Sequence, residues 1–264
     1  MGGATKSRTA RTRGAAANIV QGGGGSGASS TAKLRKMSAM STDERADLLK
    51  SAFAYKLPPD IYDQGVTQRL VLAQGLNELP ETVSDAAFDA LAAKSGGKVI
   101  YRTLKTVNSN LTGKDLCENL LYGMNNSLGT GIYGEGHYHA EKLGESLSYG
   151  DGRAGQATVR GILHKSAKVI EYSELVDMYK DEKKSSKKFK KVCEQIEQQS
   201  LKIKSGGYSH DTDIYSAYAL TKGYDAIRVV TGIADGDYYV PITRDKITYS
   251  SYVQETAGKY DDKW

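Results

Sequence analysis

The chain has few of the devices that staple or anchor a protein. Its 264 residues include two cysteines, Cys117 and Cys193. Two thiols cannot form a disulfide framework, and this pair lacks the spacing of a zinc site, so a reducing compartment and no metal are expected. No run of 18 apolar residues occurs, which excludes an apolar spanning helix. The start of the sequence lacks the apolar core of a secretory signal. Acidic residues are missing from the first 36 positions. That stretch carries Lys6, Arg8, Arg11, Arg13, Lys33, Arg35 and Lys36, or +7 of a total +5, so the remaining chain is near −2. Phenylalanine is scarce, with 3 residues against 18 tyrosines, so a given tyrosine is by default ordinary packing.

What is present divides the chain. Residues 1–40 read as a flexible basic arm, because Gln21-Gly-Gly-Gly-Gly-Ser-Gly-Ala-Ser-Ser30 buries too little apolar surface to offset chain entropy. Such an arm can solubilise, neutralise phosphate or dock on a partner. Residues 41–96 read as a helical layer. Ser41-Thr-Asp-Glu44 is a capping box, Pro58-Pro59 ends the first helix, a second is expected over 61–76 and a third over 85–94. Ser84 would cap the third and Gly96-Gly97 would stop it.

After residue 97 the pattern changes. Lys98-Val-Ile-Tyr-Arg-Thr-Leu104 reads as a buried strand, 114–122 as a short helix, 123–136 as a glycine-dense loop and 141–149 as a helix. Strands are expected over 157–164 and 167–170, a helix capped by Ser173, a lysine-rich and mostly solvated helix over 182–204, and a helix over 212–222 stopped by Gly223. Three strands follow, over 224–231, 237–243 and 246–253. This order points to an α+β fold rather than a repeating βαβ chain.

Gly129-Thr-Gly131-Ile-Tyr-Gly134 spells GxGxxG, but it follows a helix and opens none, which argues against a dinucleotide fold and a dehydrogenase. Its continuation, Gly134-Glu-Gly136-His-Tyr138-His-Ala-Glu141 into Lys142-Leu-Gly-Glu-Ser146-Leu-Ser-Tyr149, is more informative. Ser146 and Tyr149, three apart, share a helix face. A phenol ring offers a stacking surface and a hydroxyl offers an amide hydrogen bond. Those are the parts needed to hold a nicotinamide ring.

This run resembles, without a gap, the catalytic segment of poly(ADP-ribose) polymerases. The wider pattern is similar to the ADP-ribosyltransferase-like domains of bacteriophage head and injected proteins. The similarity rests on Tyr101-Arg102, Gly131-Ile132-Tyr133-Gly134 with Gly136-His137-Tyr138, Gly223-Tyr224-Asp225-Ala226-Ile227 and Tyr238-Tyr239-Val240, over roughly residues 84–255. The resemblance implies a split mixed β-sheet of ADP-ribosyltransferase type over 97–264. It implies NAD as substrate, no metal, and cleavage of the nicotinamide–ribose bond with transfer of ADP-ribose to a protein acceptor. It places Arg102 as pyrophosphate clamp and Thr103 beside the carboxamide. Gly136, Tyr138, Ser146 and Tyr149 fall in the nicotinamide pocket. Asp237 is the catalytic carboxylate, an aspartate where the family carries glutamate, and Asp235 serves acceptor recognition. Taken alone, Arg102 could equally make an ion pair at a strand end, and Ala234-Asp-Gly-Asp237 is also a good hairpin turn. His139 departs from the phenylalanine favoured there.

Two functional expectations follow. One is a mono-ADP-ribosyltransferase or NAD glycohydrolase acting in a host cytoplasm or carried by a virion. The other is a degenerate structural or minor virion protein of the same fold, with the arm and helical layer contacting virion components. The lysine run 183–191 is expected to be a solvated face, with nucleic acid a weaker partner.

Overall fold

The computed structural model describes residues 29–256 apart from 60, 62, 106–110, 124–128, 132–133, 150–155, 204–212 and 233–235. The helices are α1 (Ser30–Ser38), α2 (Thr42–Phe53), α3 (Val66–Ala73), α4 (Asp85–Lys94), α5 (Gly113–Tyr122), α6 (Leu143–Tyr149), α7 (Tyr172–Ser185), α8 (Lys187–Ile203) and α9 (Asp213–Thr221). The strands are β1 (Glu81–Val83), β2 (Lys98–Leu104), β3 (Gly129–Gly131), β4 (Gly134–Gly136), β5 (His139–Ala140), β6 (Gln156–Leu163), β7 (Val169–Glu171), β8 (Ala226–Val229), β9 (Tyr238–Pro241), β10 (Ile247–Ser250) and β11 (Gln254–Thr256). The fold is mixed α+β, as expected. Among the described residues no helix is long and apolar enough to cross a membrane.

Local chemistry sets most element ends. Ser41 and Glu44 form the expected capping box on α2: Glu44 N donates to Ser41 Oγ at 3.3 Å and Ser41 N to Glu44 Oε2 at 2.7 Å. Those bonds to the ionised form hold the Glu44 carboxyl below its usual range. Thr112 and Asp115 repeat the device on α5. Ser84 caps α4, and Gly96 beyond it takes the left-handed φ of 63° that other residues resist.

Nine strands form one sheet in the order β1-β10-β6-β2-β5-β9-β8-β7, with β11 also pairing β6, while β3 and β4 form a separate hairpin. β1 with β10 and β7 with β8 are parallel, and the other pairs are antiparallel. One join is thin. β2 pairs with β6 along its whole length, from Lys98↔Leu163 to Leu104↔Ala157, but meets β5 only at Tyr101↔Ala140. The two-residue β5 then carries the sheet to β9.

Two cores flank this join. One buries Ile100, Cys117, Leu120, Leu121, Val159, Ile247 and Tyr249 beneath α5. The other packs Ile170, Ile227, Val229 and Val240 against the helical layer and α7, α8 and α9. At its centre Glu182 on α7 accepts from Arg45 of α2 at 2.9 Å and from Lys222, just past α9, at 2.8 Å.

The structure differs from the sequence reading in several places. The second helix, expected over 61–76, is confined to α3, behind Gly65 at φ 139°, and the loop expected over 123–136 contains the β3–β4 hairpin. Helix α1 lies inside the expected arm, because Leu34 and Met37 bury one face and Lys33 Nζ donates to Gly75 O at 3.0 Å. The helical layer contains β1, whose Glu81, Thr82 and Val83 pair with Thr248, Tyr249 and Ser250. Residue Ser173 does not cap α7, which begins one residue earlier, and its hydroxyl donates to Glu171 instead. The lysine-rich helix is broken at Ser186, whose Oγ accepts from Phe189 N and starts α8, and Phe189, Cys193 and Ile196 are buried.

Truncating Glu182 strands two cations in a low-dielectric site. Glu182→Ala is expected to lower unfolding free energy by about 3–5 kcal/mol, measured by urea denaturation, whereas Asp181→Ala, whose side chain is 74% exposed, leaves it nearly unchanged.

Candidate functional site

The β2–β5 ladder stops at the single pair Tyr101↔Ala140, and a hollow of about 100 Å³ lies beside β2 there. It is lined by Tyr101, Arg102, Thr103 and Leu104 from β2, by Tyr138, His139 and Ala140, by Ser146 and Tyr149 of α6, and by Tyr238 of β9. Five residues singled out from the sequence, Arg102, Thr103, Tyr138, Ser146 and Tyr149, therefore meet at one place.

Strand alternation decides what each can do there. The register aligns Tyr101, Ala140, Tyr238 and Val229 in one row across four strands. Thr103 shares the face of Tyr101, and α6 packs on it. Thr103 Oγ1 lies 2.9 Å from Ser146 Oγ and 2.8 Å from Thr158 Oγ1, forming a chain of three hydroxyls. Tyr149 meets Tyr238 edge to face at 5.7 Å between ring centroids and is 53% exposed. Tyr238 donates its hydroxyl to Glu145 of α6. Burial and that carboxylate push the Tyr238 phenol pKa up.

Arg102 faces the other way. The residue is 7% exposed, and its guanidinium donates from NH1 to His137 Nδ1 at 2.9 Å. An arginine only donates, so His137 accepts and is neutral. His139 Nδ1 must donate to the His137 carbonyl, which leaves Nε2 to accept from Tyr249 OH at 2.9 Å. Burial and the nearby guanidinium hold His139 down to about 3 and His137 well below its ordinary value, while burial lowers Arg102 itself. The expected phosphate clamp is thus a buried strut on the face away from α6.

Asp237 follows the same rule. It precedes Tyr238 and falls on the opposite face, with Tyr239. Arg228 Nε donates to its Oδ2 at 2.7 Å, and Asp237 N donates to Glu141 Oε2 at 3.2 Å. Its carboxylate is engaged outside the hollow. Asp235 lies outside the described residues. Gly136 does not line the hollow. A Cβ there would meet Val240 Cγ1 at 2.5 Å and Pro241 O at 2.9 Å, so the glycine serves close packing against β9.

The sequence reading missed Tyr238 as a lining group, Thr158 and Glu145. Thr158 had a signal: in Gln156-Ala-Thr-Val-Arg160 the polar residues alternate with apolar ones, which marks a polar face of β6. The GxGxxG glycines form the β3–β4 hairpin, preceded by α5, and so lack the strand–turn–helix setting of a dinucleotide fingerprint. In the lysine run, Lys183 pairs with Glu197, Lys184 with Asp181, Lys188 with Asp47 and Lys190 with Glu194. Much of its charge is answered locally. Among the described residues no group of three or more His, Cys, Asp or Glu is placed to hold a metal ion.

Comparison with protein-family models, curated proteins and solved structures returned no match for this chain. The site therefore has to be read from its own chemistry.

The neutral histidines give one consequence. Below pH 6.5 the unfolded chain binds protons that folded His137 and His139 refuse, so stability is full above that pH and declines as the pH falls toward 3. The slope is up to about 1.4 kcal/mol per pH unit for each histidine. Thermal melts between pH 7 and 5 are expected to show the decline, and His139→Gln is expected to reduce its slope.

Proposed function

We propose that the hollow receives the nicotinamide ring of NAD and that the chain cleaves the nicotinamide–ribose bond as an ADP-ribosyltransferase or NAD glycohydrolase. The observation that carries this reading is the meeting of Thr103, Ser146, Tyr138 and Tyr149 at one opening in the sheet. A planar amide needs a hydrogen-bonding edge and a stacking surface. The Thr103–Ser146 hydroxyl pair supplies the first and the tyrosine rings the second. The size agrees. Sites enclosing whole drug-sized ligands span roughly 300–1,000 Å³, so a hollow of about 100 Å³ suits one ring, with the remaining nucleotide lying outside it. The thin join at β5 is compatible with the split mixed sheet that the resemblance implies.

A second reading is favoured by a specific observation. The Asp237–Arg228 pair and the burial of Arg102 both remove groups that the resemblance assigns to catalysis. A chain that keeps the ring pocket and has lost turnover would be a binding or structural protein of the same fold.

One experiment separates the readings. NAD is expected to raise the melting temperature, by an amount corresponding to about 2.7 kcal/mol at a hundredfold excess over Kd. Labelled NAD is expected to release nicotinamide. Protection without release would support the second reading, and neither would remove the site. Because Tyr149 is half exposed, Tyr149→Ala is expected to leave the unliganded melt within about 0.5 kcal/mol and to abolish protection by NAD.

A further inference from the structure

The proposed chemistry needs a negative group beside a sugar carbon that becomes positive, and Asp237 does not reach the hollow. We infer that Glu145 supplies that carboxylate, acting through the hydroxyl of Tyr238. This rests on the reading of the hollow as the nicotinamide site. It assigns a role to a residue that neither the sequence motifs nor the resemblance singled out.

The geometry is as follows. Glu145 precedes Ser146 on α6 and stands one helical turn before Tyr149, so the helix that positions the ring pocket positions this carboxylate too. It accepts the hydroxyl of Tyr238, whose ring lines the hollow. Tyr149 contributes a second phenol at the same point: its ring meets that of Tyr238 edge to face. The Tyr238 hydroxyl thus links the hollow to Glu145. Asp237, by contrast, is neutralised by Arg228 on the other face.

The step balances. The C1′–N bond of NAD breaks, and its electron pair leaves with nicotinamide, which departs neutral. The sugar carbon turns positive, and the Glu145 charge, one phenol away, favours it. A hydroxyl, amine or water then bonds to that carbon through its lone pair. Its proton passes to the Tyr238 oxygen as the Tyr238 proton passes to Glu145. Glu145 loses that proton to solvent, which restores the starting state. Glu145 is a positioning residue and proton sink, and Tyr238 is the group facing the substrate.

The test uses the full chain, labelled NAD and three variants. Glu145→Gln keeps an acceptor for Tyr238 but removes the charge. It is expected to retain protection by NAD and to lose nicotinamide release by a hundredfold or more, in kcat rather than KM. Tyr238→Phe keeps the ring and is expected to match that loss, and Glu145→Asp is expected to restore part of it. Release by Glu145→Gln within threefold of the parent would overturn the assignment while leaving NAD binding intact. A parent chain that NAD does not protect would overturn the reading of the hollow itself, and this inference with it.

Discussion

The fold turns on a single pair of residues. Tyr101 and Ala140 are the one point at which β2 touches β5, and β5 has only two residues with which to continue the sheet. A sheet so pinched must open on one side of the pinch, because β2 is already fully paired to β6 on its other edge. The opening exposes the backbone of β2 from Arg102 to Leu104 and the side chain of Thr103 to a space that α6 roofs. The hollow is thus a result of strand pairing.

The same pinch explains the buried polar cluster beneath it. A two-residue strand has too few ladder bonds to hold its own place. The Arg102–His137 and His139–Tyr249 bonds tie the chain on both sides of the pinch to the core under α5. A guanidinium this buried is costly, and truncating either partner would leave an unsatisfied polar group. Such a network fixes one arrangement of β5, and with it the position of Tyr138 over the hollow. Arg102 then matters to the site from behind, as a support.

Much of this was legible in the sequence. β2 was read with its observed bounds, and α4 with its Ser84 cap and Gly96 stop. The grouping of Thr103, Tyr138, Ser146 and Tyr149 followed from helix spacing and a family resemblance. What could not be read was which face each strand residue occupies, because a register is a relation between strands and no single strand contains it. Asp237 lies outside the hollow, and Arg102 borders it while its guanidinium turns to His137 on the opposite face. Their neighbours Thr103 and Tyr238 carry the face that α6 covers. Helix α1 was hidden by its lysines and arginines. Its two buried apolar residues, Leu34 and Met37, become meaningful only against α9 and Gly223, where φ is 82° and a Cβ would meet Ser38 Cβ at 2.7 Å.

The measurement closest to the central claim is a crystal structure of the chain soaked with NAD. The account predicts density for a planar ring in the hollow, against the Tyr149 and Tyr238 rings, with its carboxamide at Thr103 and Ser146 and the rest of the nucleotide outside the hollow. An empty hollow at saturating NAD, or a nicotinamide ring bound elsewhere on the chain, would contradict it.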